Sequence, residues 1–520
     1  MISAEIYLHE IRANLPRLLA LIDRDQTSQS YGMADRCYWA WGLIDFGNAT
    51  FQGIANGFAR LWHHGLWPYG THKSHFIERI DSLYLGAAKL TRSDGSLEEA
   101  FPREGSFCVT ALVAFDLLVA FDLLEKHIDE VTRKSWLDTI KPMVGYILKA
   151  EETHATISNH LATAVATLVR WHKIMDDTLA EARAYQLMNC ILENQSEEGW
   201  FLEYQGADPG YQSLCTCYLA DIHQLRPDWQ LLEPLRKSVQ FMWHFAHPDG
   251  SFGGIYGSRY TRFFYPAGLL ALGDEIPEAA ALAAFMAKSI SSQRVVTLSS
   301  IDELNLVPTF NNYCWAAALA SKSIAQPDTL PILPALVRSP MRLHYYQAGL
   351  VIDRGKDHYT IVATGKGGVV YHFVSGKQSV IDTGIVVRNN KGKLGSSQGR
   401  SEVEFKEGGG TLAVVADIAP MPKMLPEPWH FLILRMMCVT VFHFPKLREC
   451  VKQFLVHLLI TGSAPWPLKN RRTIQLGKDL AIHDETEFSA GYEKVDMGKE
   501  FIPIHMASQG YWQLQDEEGV

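Results

Sequence analysis

No cysteine spacing in this chain is that of a disulfide scaffold or a zinc knuckle. The eight cysteines, Cys37, Cys108, Cys190, Cys215, Cys217, Cys314, Cys438 and Cys450, are scattered over 520 residues and sit mostly inside apolar runs, where a thiol serves as a small buried hydrophobe. Cys215 and Cys217 stand one residue apart, which suits neither a redox CxxC pair nor a metal knuckle. No other cluster has zinc spacing, and no cofactor motif is present, so neither metal nor cofactor is expected. Positive charge is also in short supply. Forty-eight Lys and Arg against 57 Asp and Glu leave a formal charge of -9, which excludes a basic nucleic-acid binder as the first reading but leaves room for a local basic groove. The longest apolar run, FCVTALVAFDLLVAFDLL from Phe107 to Leu124, is interrupted by Asp116 and Asp122 and reads as a helix buried on nearly all sides, not a membrane span. The N-terminal MISAEIYLHEIRANLPRLLALI carries early acidic residues and no small-residue cleavage site. It reads as an amphipathic helix, and a cytoplasmic setting is expected, or a periplasmic one had a leader been removed.

What is present points to an α+β multidomain chain. At this length one hydrophobic core is not enough, and two domains are the expectation, with room for a third. Residues 1–330 read as helix after helix, joined by loops of one chemical type: DGSLEEAFPRE from Asp94, EEGWFLEYQGADPGY from Glu197 and HPDGSFGGIYGSRYTR from His247. Gly95, Gly199 and Gly250 recur at roughly two units and then one unit of about fifty residues, the length of a helical hairpin. We read this as an N-terminal (α/α) toroid of helical hairpins with its polar loops gathered at one end; stacked helices with unrelated turns are the alternative. A Pro-rich linker follows over 331–342. From 343 to 520 short runs such as GLVIDR, HYTIVATG and GVVYHFVSG, separated by Gly, Asn and Lys turns, predict a C-terminal antiparallel β-sandwich. An apolar and basic insertion near 425–462 interrupts it. That mixture suits a helix lying on a membrane surface, although packing on its own domain is the plainer expectation.

The chemistry-bearing residues sit in the loops. Tyr211 follows Pro209 and Gly210, so its phenol stands on a loop or at a helix start. About fifty residues earlier, Asn159 and His160 open the small-residue run LATAVATLV, with Ser158 or Asn159 as the expected N-cap. His160 could instead be a hydrogen-bonded core histidine. Arg259 and Arg262 carry guanidinium forks suited to carboxylates. Glu203, Tyr256, Trp39 and Glu104 are weaker candidates for contact with a ligand.

A ring of helices followed by a sandwich, with Asn-His on one hairpin, GADPGY on the next and VIDTG in the C-terminal half, resembles the heparinase II/III-like polysaccharide lyases, related alginate lyases and dermatan sulfate epimerase. That resemblance implies β-elimination on a uronic acid within an acidic polysaccharide, with the carboxylate neutralised while the C5 proton leaves. It assigns Asn159 and His160 to the carboxylate and Tyr211 to proton transfer. A uronate C5-epimerase on the same scaffold, or a non-catalytic glycan-binding factor, are the other implied readings. Oligomeric state stays open. Where many members place an HGH-Asp motif, this chain has TGKGGVVYHFVSG; the usual histidine position falls near Lys366, and His372 lies a few residues on.

Overall fold

The computed structural model describes residues 2–520 except 153–155, 205, 323–328, 400, 405–409, 424, 457–463, 489, 505–509 and 512–520. Its first half is helical: α1 (Ala4–Leu19), α2 (Arg36–Trp39), α3 (Ile54–His63), α4 (Lys73–Leu90), α5 (Phe107–Leu124), α6 (Glu130–Ile147), α7 (Ser158–Met175), α8 (Thr178–Glu193), α9 (Pro209–Leu225), α10 (Leu232–Met242), α11 (Ala267–Leu272), α12 (Pro277–Ser291) and α13 (Glu303–Ala320). Helices α3, α5, α7, α9, α11 and α13 each pack on the next, and α13 returns to α3, closing an inner ring. An outer layer of α4, α6, α8, α10, α12 and α1 covers it. This is the toroid expected from the loop spacing. Sequence dictates which helices lie inside: α5 is apolar all round and almost wholly buried, as a helix with neighbours on every side must be.

The inner helices start at the same end, because the segments that precede them hydrogen-bond to one another. Ala49 N–H, before α3, donates to Glu98 O, before α5; Ser158 N–H at α7 donates to Leu202 O before α9; Ser258 N–H, before α11, donates to Ala207 O. Three of these lead-in loops share one turn. In each, the first residue's N–H donates four residues on (Arg92 to Ser96, Ser196 to Trp200, His247 to Ser251), and a glycine N–H donates back to the first residue's carbonyl. Those glycines are Gly95, Gly199 and Gly250, at φ +88°, +98° and +93°. Left-handed backbone favours glycine, and a Cβ would also lie 2.0 Å from Pro142 O at Gly95 and 2.3 Å from Lys237 O at Gly199. The glycine period is thus the signature of a turn that must hug the outer helices.

Strands then take over: β1 (Met341–Tyr345), β2 (Leu350–Arg354), β3 (His358–Ala363), β4 (Val369–Val374), β5 (Lys377–Asp382), β6 (Val386–Asn389), β7 (Leu394–Ser396), β8 (Ser401–Glu404), β9 (Thr411–Asp417), β10 (Ala419–Pro420), β11 (Lys469–Gln475), β12 (Ala481–Thr486) and β13 (Tyr492–Val495). They form three antiparallel sheets, β1-β2-β3-β4-β5, β10-β7-β6-β13 and β12-β11-β9-β8. The five-stranded sheet is covered on both faces. Alternate residues Ile352, Ile361, Tyr371 and Phe373 meet Trp200, Phe241, Phe245 and Tyr256 of the helical ring, while Val351, Val362 and Val370 meet Leu412 and Ile474 of another sheet. Period-two alternation therefore decides which side chains can reach the ring. Each buried aromatic on that face contributes about 2–3 kcal/mol, so ring and sheet share a core.

The insertion holds two helices, α14 (Pro428–Val439) and α15 (Pro445–Val456); its remainder to 462 lies outside the described residues. It does not simply pack on its own domain. Arg435 pairs with Asp45 at 2.8 Å, Phe442 lies 5.6 Å from the Phe101 ring, and Arg448 donates to Arg103 O at 3.2 Å, so the insertion bears on the loop end of the helical ring.

Candidate active site

Three inner-helix starts build the site. Asp208 is the N-cap of α9, accepting from Tyr211 N–H at 3.1 Å. Its carboxylate is wholly buried and also accepts from Arg259 N–H at 2.9 Å, from Thr261 N–H and from the Thr261 hydroxyl. One carboxylate thus ties the loop that carries Arg259 to the helix that carries Tyr211. Tyr211 is half-buried, with its ring edge-on to Phe263 at 5.3 Å. The Arg259 guanidinium lies 4.1 Å from the Tyr204 ring centroid and 5.8 Å from that of Tyr211. Its Nε and Nη1 are buried and have no hydrogen-bond partner among the described residues. A half-buried guanidinium with unused donors at a cleft wall suits an anionic ligand.

At α7 the expected Ser158 or Asn159 cap is not used. Ile157 is the cap residue and has no side chain for the task; Glu203, from the neighbouring hairpin, supplies the acceptor. Its Oε1 takes Asn159 N–H at 3.0 Å and its Oε2 takes the Asn159 amide at 2.8 Å. Asn159 is therefore committed to Glu203, where the sequence reading had its amide facing a substrate carboxylate. Burial pushes Glu203 up to about 7, against the opposing pull of His160 and of both Asn159 donors. His160 Nδ1 meets Glu152 Oε2 at 2.7 Å. Burial works against its charge but is outweighed by the adjoining Cys108 thiol and the Glu152 carboxylate, so His160 is held well above the ordinary histidine range.

The Glu203 shift carries a sign. A carboxyl whose folded pKa exceeds its unfolded value stabilises the fold at low pH, and that contribution is lost as pH rises from about 4.5 through about 7. Glu203→Gln removes the titration. The stability of the native chain relative to this variant is expected to fall by about 3 kcal/mol between pH 4.5 and pH 8, measured by denaturant unfolding at both; a difference independent of pH contradicts the assignment.

Between the ring and the sandwich lies a cleft of about 1030 Å³. Tyr204, Tyr256 and Arg259 line it from the ring, and His344, Tyr346, Lys366 and Gln398 from the sandwich. Lys366 is indeed in the cleft, but its donors are taken. Nζ donates to Ile255 O at 3.3 Å and to Gly257 O, and lies 3.5 Å from the Tyr260 ring centroid. Burial pushes it down to about 7, with Asp208 opposing. It clasps the Arg259 loop to the sandwich. Tyr256 is buried and its hydroxyl meets His247 Nε2 at 2.8 Å.

Several sequence candidates lie elsewhere. Arg262 reaches the Tyr371 hydroxyl at 3.0 Å and Glu500, a brace between ring and sandwich. His372 alternates with Tyr371 and Phe373 and so faces away from the ring, bonded to Thr360 Oγ1 at 2.8 Å; strand periodicity rules it out of the cleft. Glu104 is buried, accepts from Glu99 and Ala100 N–H, and lies near Lys452 of the insertion. Trp39 donates to Leu21 O at 2.8 Å and stacks with Arg36, apart from the cleft. Missed altogether were Asp208 and Glu152. The first had a visible signal, an Asp directly before Pro-Gly at a helix start; the second had none.

Residues 69–268 match the model of the ulvan lyase N-terminal domain. The match spans Asn159, His160, Glu203, Asp208, Tyr211 and Arg259. Over this segment the chain is similar to a polysaccharide-lyase domain. The kinship expected from the motifs is borne out over that segment. No curated protein matches the chain. Among solved structures, the Streptomyces coelicolor A3 chondroitin AC lyase aligns at 8% identity and TM-score 0.46, over 80% of this chain and 67% of that one. Heparinase III aligns at 11% and 0.43, over 92% and 77%, and the cellobiose 2-epimerase of Bacillus thermoamylovorans B4167 at 9% and 0.44, over 61% and 99%. Likenesses this distant carry no argument about activity. The matched segment ends at the second residue of α11, so α12, α13 and the sandwich lie outside it.

Proposed function

We propose that the protein is a polysaccharide lyase that cleaves an acidic, uronate-containing chain by β-elimination where Arg259 lines this cleft, with Tyr211 and His160 beyond the residues that line it. The observation that carries the reading is Arg259, a half-buried cation with two buried donors unused, set beside Tyr211 within the matched segment. A uronate C5–H is only weakly acidic. Charge on the neighbouring carboxylate must be neutralised before the C5 carbanion becomes accessible. In this reading Arg259 takes the carboxylate, and His160, when protonated, adds positive potential. Tyr211, as phenolate, removes the C5 proton; the electron pair forms the C4–C5 double bond as the C4–O4 bond breaks, and the leaving O4 takes that proton from the phenol, restoring the phenolate. Asn159 and Glu203 position the start of α7 behind this site. Ulvan is the first polymer to test, because the matched family acts on it by name.

The test is an absorbance screen for unsaturated uronate across ulvan, heparan, chondroitin and alginate. Absorbance growing with one or more polymers supports the reading. Binding without new absorbance on any of them opposes it, and deuterium uptake at C5 without cleavage would make the protein an epimerase. A narrower expectation concerns Arg259. Arg259→Ala is expected to raise KM about tenfold or more and to flatten the salt dependence of binding, read by calorimetry at low and high salt. An unchanged salt slope would place the anion elsewhere.

A further inference from the structure

We infer that Tyr346 and His344, on the sandwich wall of the cleft, form a stacking subsite for a pyranose ring of the polymer, so that the substrate spans both domains. The inference rests on the lyase reading of the same cleft. Tyr346 is 69% exposed, yet it is not on a loose loop. It opens the turn between β1 and β2, and that turn is clamped from the helical ring: Glu198 accepts from Gln347 N–H at 2.9 Å and from Ala348 N–H at 3.0 Å. Gly349, at φ +63°, closes the turn, and its carbonyl accepts from Gly365 N–H at 3.0 Å. The His344 ring lies nearly parallel to that of Tyr346, centroids 5.5 Å apart and 24° between planes. Two stacked rings on a braced turn thus face a cleft whose other wall bears Tyr204 and Arg259.

An aromatic face carries negative potential and the axial C–H groups of a sugar ring carry slightly positive hydrogens, so the two attract while apolar area is buried. Nothing in that contact needs the sugar to be charged. The sandwich wall therefore takes a pyranose ring whether or not it is charged, and the Arg259 wall suits an acidic one.

The experiment compares Tyr346→Ala and Tyr346→Trp with the native protein, using ulvan and its short oligosaccharides. Binding is measured by calorimetry on the full chain and product by absorbance. Tyr346→Ala is expected to weaken polymer binding and raise KM about tenfold, with kcat and melting temperature unchanged, and Tyr346→Trp is expected to restore both. The penalty should shrink on oligosaccharides too short to reach the second wall. If the native protein cleaves ulvan and Tyr346→Ala binds and cleaves it equally well, the subsite is overturned and the lyase reading stands. Should the native protein bind and cleave nothing in the panel, both fall together.

Discussion

Tyr211→Phe is expected to lower turnover about a thousandfold with little change in substrate affinity. The size is that of removing a positioned acid-base group, and the pattern is that of an interaction made mainly in the transition state. Structure makes the variant a clean test. The turn that holds Tyr211 depends on its backbone, capped by Asp208, and the edge-on contact with Phe263 depends on its ring. Phenylalanine keeps both. Single-turnover rates on a verified polymer, with binding measured separately, decide the matter; a phenylalanine variant with native turnover would remove Tyr211 from the chemistry.

Asp208→Ala is the second large effect, and it acts on the frame. Four donors converge on this buried carboxylate, three from backbone N–H groups and one from the Thr261 hydroxyl. Truncation leaves them without an acceptor in a region closed to water, at a cost of about 3–5 kcal/mol. It also releases the Arg259 loop from the start of α9. Denaturant unfolding should therefore show a large loss of stability, and Asp208→Asn, which keeps the volume and one acceptor, a smaller one. Under conditions where Asp208→Asn remains folded, KM should rise because Arg259 is no longer held beside Tyr211. A variant as stable as the native chain would show that the hub is decoration.

Much of the architecture was legible in the residues because local rules and tertiary demands agree there. Gly95, Gly199 and Gly250 announced the repeat, since each must adopt a left-handed turn against an outer helix. The change from helical to alternating patterning announced the sandwich. Placement within the site was harder to read. His372 and Tyr371 are neighbours in sequence, yet only one faces the ring, and a one-residue register decides which. Arg262 and Arg259 stand three residues apart on one loop. The first reaches across to Tyr371 and Glu500, and the second keeps two donors unused. Asn159 looked free because its partner, Glu203, lies 44 residues away on another hairpin. The insertion was misplaced for the same reason: its contacts with Asp45, Phe101 and Arg103 are distant in sequence.

The most direct test of the proposed chemistry is a proton NMR spectrum of the products formed from one polymer in deuterium oxide, with native protein and with Tyr211→Phe. The account predicts a vinylic C4 proton on new non-reducing ends, formed by the native chain and nearly abolished in the variant. Chain scission that yields saturated ends, or a vinylic signal equally strong with Tyr211→Phe, would contradict it.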